Sequence, residues 1–262
     1  MVIDSHTHIF PEHVVDRAME ALGARYGARP VGRPTPDGLL RHMDECGVDR
    51  AVVLAVATRP DQVESITSWF TGLLAEGRFI PFPSLHPHST DLEGDVRRVV
   101  EAGLRGVKLQ PHFQGFSLSD PQFLRMLELI GDRLVVLMHG GQEIVNIDDV
   151  QPTPARLIAL HERFPAVRFV CAHLGAFRYW DEVEQCMVGR SVTLDASYVF
   201  GICPDERIAR IIRAHGADRV VWGSDFPWQT QAEGLAGIAR LGLSENETRQ
   251  ILGGSLRGLL GG

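Results

Sequence analysis

Two histidines one residue apart, His6 and His8 in Asp4-Ser5-His6-Thr7-His8, face the same side if that segment is extended. Placed so, they can grip one metal ion. Further along stand Lys108, His139, His173 and Asp225, each at the end of a short apolar run. A set of imidazoles with a carboxylate and no thiolate suits Zn²⁺ first, with Mn²⁺, Fe²⁺ or Co²⁺ as alternatives. Such an ion would polarise a carbonyl and bring the pKa of a bound water toward ~7. Asp4 stands where it could orient a ligand by hydrogen bonding.

Lys108 is the one lysine among 26 Lys and Arg residues; all the others are arginine. In a chain this rich in Arg, Ala, Gly and Val, a single surviving lysine is a place to look for chemistry that a guanidinium cannot do.

These residues need a frame that brings them together. Apolar runs at 2–6, 51–56, 79–84, 106–110, 134–139, 167–173, 192–197 and 219–224 read as strands, with helical patterns between them. Near-continuous apolar runs suit strands covered on both faces, as in a parallel sheet with helices outside. Helix punctuation agrees. Asp120 and Pro121 open one helix and Gly131 stops it; Pro204 opens another, closed at Gly216. Ser244 with Glu247 forms a capping box for a last helix expected to end near Gly253 and Gly254. No Gly-rich dinucleotide fingerprint follows any strand. The pattern therefore predicts an α/β fold, a single (β/α)₈ barrel domain over residues 1–262, with the reactive residues at the C-terminal ends of the strands.

The longest gap between strands holds a Gly/Pro-rich stretch at 27–38, which reads first as a solvated crossover with ordinary surface arginines and second as a loop or lid with Arg25, Arg29 and Arg33 available to an anionic substrate. His86-Pro87-His88 resembles the first histidine pair, but its proline and the turn residues after it suggest a structural role. His112 and Trp228, on strand-end loops, are expected to line a substrate pocket.

A net charge of -7 without a basic run argues against nucleic acid as a partner. The start shows no signal-peptide pattern and no apolar stretch approaches the ~20 residues of a membrane span, so a cytoplasmic protein is expected. Cys46, Cys171, Cys186 and Cys203 have no C-x-x-C spacing and are expected to be reduced. The partner expected is a small molecule, and a homo-oligomer stays open.

In chain order the motifs DSHTH, GVKLQPH, LMHGG, CAHLG and WGSDFP span nearly the whole sequence. Together they resemble the amidohydrolase superfamily, most closely the amidohydrolase 2 branch that includes aminocarboxymuconate-semialdehyde decarboxylase and related metal-dependent hydrolases. The resemblance implies a barrel in which His6, His8, His139 and Asp225 bind a divalent metal, while His173 sits beside a bound water and assists proton transfer. It leaves three roles for Lys108: an unmodified amine that binds a substrate carboxylate, a carbamate bridging two ions as in other branches, or a structural ion pair.

Two reactions fit. As a hydrolase of an amide, ester or lactone, the chain would use Asp225 as general base toward a metal-activated water and His173 to hold it. As a non-oxidative decarboxylase, it would hold a substrate carboxylate on the metal and on Lys108 or a loop arginine, and protonate the carbon that loses CO₂. Decarboxylases of that branch tend to be longer than this chain, which puts hydrolysis first.

Overall fold

Each apolar run becomes a strand: β1 (Ile3–His8), β2 (Arg50–Leu54), β3 (Phe79–Phe82), β4 (Gly106–Leu109), β5 (Val135–Met138), β6 (Arg168–Cys171), β7 (Thr193–Asp195) and β8 (Val220–Val221). The computed structural model describes residues 1–27, 29–143 and 151–261. Neighbouring strands run parallel in the orders β1-β2-β3 and β4-β5-β6-β7-β8. Two bridges close these into one barrel. Ser84 pairs with Lys108 beyond the end of β3, and Thr7 pairs with Phe226 beyond the end of β8. The second seam is reinforced where Ser5 N–H donates to the Trp222 carbonyl at 2.8 Å and His8 N–H to that of Phe226 at 2.7 Å. β7 and β8 are shorter at both ends than their apolar runs.

The period-2 alternation of the strands divides the apolar residues into two layers. Val52, Leu54, Val135, Leu137 and Val170 pack inside the barrel. Their neighbours Ala51, Val53, Val136, Met138 and Cys171 pack outward against the helices. Lys108, between outward-packed Val107 and Leu109, and His139, two residues past Leu137, continue the inward file.

The helix Pro121–Ile130 has Asp120 as its cap, accepting from Gln122 N–H, and Gly131 at its end. Asp205–His215 lies between Pro204 and Gly216 as its composition predicts. The Ser244–Glu247 capping box is present, but the chain does not stop at Gly253 and Gly254. A π-turn, Gln250–Gly254, leads into a further helix, Ser255–Leu260. A Cβ on Gly253 would lie 2.7 Å from the Met1 carbonyl oxygen, so its role is close approach to β1 rather than termination. Leu256 packs into the barrel interior, and Arg168 of β6 donates to the Leu259 carbonyl at 2.6 Å. This helix therefore closes the end of the barrel opposite the reactive residues.

The stretch read as a crossover or lid is a pinned strap. Thr35 caps the helix Pro36–Cys46, Phe10 N–H donates to the Pro34 carbonyl at 2.8 Å, and Val31 N–H donates to that of Pro227 at 2.9 Å. Arg33 is engaged with Asp16 at 2.7 Å and Glu12 at 3.1 Å on the surface, so it is not free for substrate. Arg29 is exposed; Ala28 and the side chain of Arg25 lie outside the described residues. The four cysteines are free thiols. Among the described residues no helix is long and apolar enough to cross a membrane.

Candidate active site

The rim residues converge at the ends of β1, β4, β5, β6 and β8. His6 and His8 have ring centroids 5.3 Å apart, and Asp225 Oδ1 lies 3.4 Å from Nε2 of each. One ligand atom from each of these three residues falls within 4.8 Å of the others. A cation bonded at ~2.1 Å to nitrogen and oxygen sets adjacent ligands roughly 3.0–3.4 Å apart, so the Asp225 spacings fit a metal of this kind. The donor set, imidazole with carboxylate, suits a borderline or hard divalent ion.

Two local features aim this triad. Pairing between β1 and β2 shifts register between Asp4 and Thr7, yet His6 and His8 still share the inward side. Asp225 has a left-handed backbone, φ 63°, and its N–H donates to the His6 carbonyl at 2.8 Å. Asp4 ties the two together. Fully buried, it accepts from Ser224 N–H at 2.9 Å, Ser224 Oγ at 2.6 Å, Gln231 Nε2 at 2.9 Å and His6 N–H at 3.1 Å. Burial raises its carboxyl to about 6, with these hydrogen bonds opposing the rise.

Lys108 is buried, with Nζ 3.2 Å from His6 Nε2. Burial pushes its pKa down, opposed by the charges of Asp225, Asp195 and Glu143. His173 also has a left-handed backbone, φ 59°. Its Nε2 lies 3.1 Å from His139 Nδ1, and its Nδ1 lies 3.1 Å from the Ser197 carbonyl oxygen. Burial lowers His173 to about 4 and holds His6 and His139 well below the usual histidine range, so the buried imidazoles are neutral.

His139 is not one of the convergent triad. It reaches the centre through His173, with Nε2 turned to the Gln142 carbonyl at 3.3 Å and the Glu143 carboxylate at 3.8 Å. His112 is buried, its ring 6.0 Å from that of His139 and nearly perpendicular. Trp228 is half-buried, and its N–H donates to the Asp225 carbonyl at 2.8 Å. His86 and His88 lie apart, with His88 Nε2 2.7 Å from Asp120, in keeping with a structural role.

A buried carboxylate behind the triad escaped the sequence reading. Asp195, fully buried at the end of β7, has Oδ2 2.6 Å from His6 Nδ1 and 2.9 Å from Ser197 Oγ. Its Oδ1 accepts from Ser5 Oγ at 3.1 Å. Burial raises its carboxyl, against hydrogen bonds from Ser197 and Ser5 and the charge of Lys108. The signal was available: the apolar run at 192–197 carries a carboxylate near its end, just as the runs leading to His6, Lys108, His139, His173 and Asp225 carry their polar residues. Gly223 is part of the same packing, since a Cβ there would lie 2.6 Å from His6 Cβ and 2.9 Å from Asp195 Oδ1.

Residues 3–257 match the amidohydrolase family Amidohydro_2, and the chain belongs to that family. Its fold is similar to that of 5-carboxyvanillate decarboxylase from Sphingomonas paucimobilis, with 18% identity and TM-score 0.76 over 99% of this chain and 98% of that one. An uncharacterised TIM-barrel protein from Bordetella bronchiseptica gives 14% identity and TM-score 0.77 over 99% and 98%. A dihydroxybenzoic acid decarboxylase from a Polaromonas species, with bound manganese and the inhibitor 2-nitroresorcinol, gives 17% identity and TM-score 0.73 over 99% and 96%. No curated protein matches the chain.

Proposed function

We propose that this amidohydrolase-family chain, a single barrel domain over residues 1–262, is a metal-dependent, non-oxidative decarboxylase of a small hydroxylated aromatic carboxylate. The observation that carries this reading is the Lys108 ammonium, buried beside His6 with no carboxylate in ion-pair range among the described residues. Asp225, Asp195 and Glu143 favour its charge from a distance but none pairs with it directly, and a buried cation without a direct partner is costly. A substrate carboxylate would supply that direct partner, whereas a neutral ester, amide or lactone would not. The likeness to aromatic-acid decarboxylases supports the same choice. So does its extent: a match over 98% of the 5-carboxyvanillate enzyme removes the length argument that put hydrolysis first. Manganese in the Polaromonas relative supports Mn²⁺ in place of the zinc that the donor set first suggested.

His6, His8 and Asp225 would hold the ion, with His139 the fourth ligand expected from the sequence. A divalent cation held there would neutralise negative oxygens of the substrate. Lys108 holds the substrate carboxylate, and His112 and Trp228 line the pocket around the ring. Asp225 takes a proton from the substrate hydroxyl and hands it to the ring carbon that bears the carboxyl group. The carbon–carboxyl bond then breaks, CO₂ leaves, and the bonding pair returns to the ring. His173, uncharged at neutral pH, orients the substrate without adding a competing positive charge.

Incubation of Mn²⁺-loaded protein with 2,6-dihydroxybenzoate and 5-carboxyvanillate tests the reading. Equimolar CO₂ and decarboxylated arene from either acid are expected. Turnover of esters or lactones with no CO₂ from any aromatic acid would restore hydrolysis.

A further inference from the structure

Among the described residues, every non-glycine residue with a left-handed backbone lies at one end of the barrel. His173 (φ 59°), Leu174 (φ 56°) and Arg178 (φ 63°) follow β6, Tyr198 (φ 53°) follows β7, and Asp225 (φ 63°) follows β8. A side chain with a Cβ is strained there, and such residues persist where the surroundings enforce them, often at functional sites. His173 and Asp225 belong to the site already described. Leu174 is buried and gives its N–H to the Asp195 carbonyl at 2.6 Å, so packing accounts for it. Arg178 and Tyr198 are left without such an account.

Phe177 connects them. Its backbone is held on both sides: its N–H donates to the Gly140 carbonyl at 2.7 Å, and its own carbonyl accepts from Gln142 N–H at 3.0 Å. The Phe177 ring lies 5.8 Å from that of His173 and 6.1 Å from that of Tyr198, and the Arg178 guanidinium carbon stands 5.4 Å over its centre. The His173 ring is in turn 5.4 Å from that of His6. A continuous wall thus runs from the triad outward, polar at the inner end, aromatic in the middle and cationic at the outer end. The tyrosine phenol feels both ends: burial and the Asp225 charge raise its pKa, and the Arg178 charge lowers it.

Arg178 is exposed and has no carboxylate within ion-pair distance among the described residues, whereas nearby Arg207 and Arg210 are spent on Asp181 and Glu184. A guanidinium held on an aromatic face with its N–H groups open suits a planar anion. We propose that Phe177, Arg178 and Tyr198 form an outer substrate subsite. An aromatic ring packs against Phe177 and Tyr198, and Arg178 binds a second anionic group that the substrate keeps when CO₂ is lost. The preferred substrates are therefore aromatic acids with two anionic groups, such as benzene-1,3-dicarboxylates. The identity of the group that is lost rests on the decarboxylase reading; the outer subsite can be tested without turnover.

The test is equilibrium binding by calorimetry to Mn²⁺-loaded full-length protein, with benzene-1,3-dicarboxylate and benzoate as probes. The wild type should bind the dicarboxylate of the order of tenfold more tightly, the scale of one charge-assisted hydrogen bond. Arg178→Ala should erase that preference and leave benzoate binding unchanged, while Arg178→Lys should keep part of it. No dicarboxylate binding by the wild type, or an equal preference in wild type and Arg178→Ala, overturns the proposal. An Arg178-dependent preference without CO₂ release from any aromatic acid would remove the decarboxylase reading and keep the subsite. CO₂ release with no such preference would do the reverse.

Discussion

Asp195 Oδ2 lies 2.6 Å from Nδ1 of His6, joining the end of β7 to the first histidine of the triad. The contact decides which nitrogen of His6 faces the centre. With Nδ1–H donated to the carboxylate, the lone pair on Nε2 is left free to face the Lys108 ammonium or a cation shared with Asp225. Ser197 and Ser5 hold the carboxylate from its other sides.

Asp195→Asn should therefore loosen the metal while sparing the barrel. Loss of such a hydrogen-bond partner typically costs about 10–100-fold in metal affinity. Competition with a chromophoric chelator measures this directly. An affinity equal to that of the wild type would show that Asp195 does not orient His6.

Asp225→Asn removes the proposed proton carrier with little change of shape. The expected loss is roughly 10²–10⁴-fold in kcat, the usual contribution of positioned proton transfer. Steady-state kinetics with a circular-dichroism melt reads both quantities. A folded variant that keeps most of its activity would exclude Asp225 from the proton path.

An unmodified Lys108 that binds substrate predicts a mononuclear centre. Elemental analysis of protein purified without chelator should return one equivalent of divalent metal. Two equivalents would instead indicate a carbamylated Lys108 bridging a pair of ions. Lys108→Met should raise KM for the aromatic acid, because the counter-charge for its carboxylate is gone.

His215, remote from the rim, predicts how stability responds to acid. Its Nε2 lies 2.9 Å from the Val192 carbonyl, and its Nδ1 accepts from Gly189 N–H at 3.3 Å. Only the neutral ring can make both bonds, and burial lowers its pKa below the ordinary value of 6.5. The unfolded chain then binds the extra proton more readily, so this contribution is complete above about pH 6.5 and is lost as pH falls toward the lower folded value. Urea midpoints should drop between pH 7 and pH 5, and less steeply in His215→Gln. Equal slopes for the two proteins would contradict this assignment.

The eight strands and most helix caps were legible because apolar periodicity and local capping are sequence-local signals. Asp120 with Pro121 and Ser244 with Glu247 behave as their neighbours dictate. The continuation past Gly253 was not, because that glycine serves a contact with the first residues of the chain. His6, His8, Lys108 and Asp225 were found as polar endings of apolar runs. Asp195 could have been found the same way, but its partner His6 is 189 residues distant. Arg33 is the surface arginine that its loop suggests, but its carboxylate partners on the helix Glu12–Tyr26 become neighbours only in the fold. The outer wall of Phe177, Arg178 and Tyr198 depends on backbone angles that no residue pattern reveals.

The most direct test of decarboxylation is the fate of a solvent proton. When Mn²⁺-loaded protein turns over 2,6-dihydroxybenzoate or 5-carboxyvanillate in D₂O, the arene product should carry one deuterium at the carbon that lost its carboxyl group, with one CO₂ released per turnover. An undeuterated position, or a product that has gained solvent oxygen without CO₂ release, would contradict the proposed function.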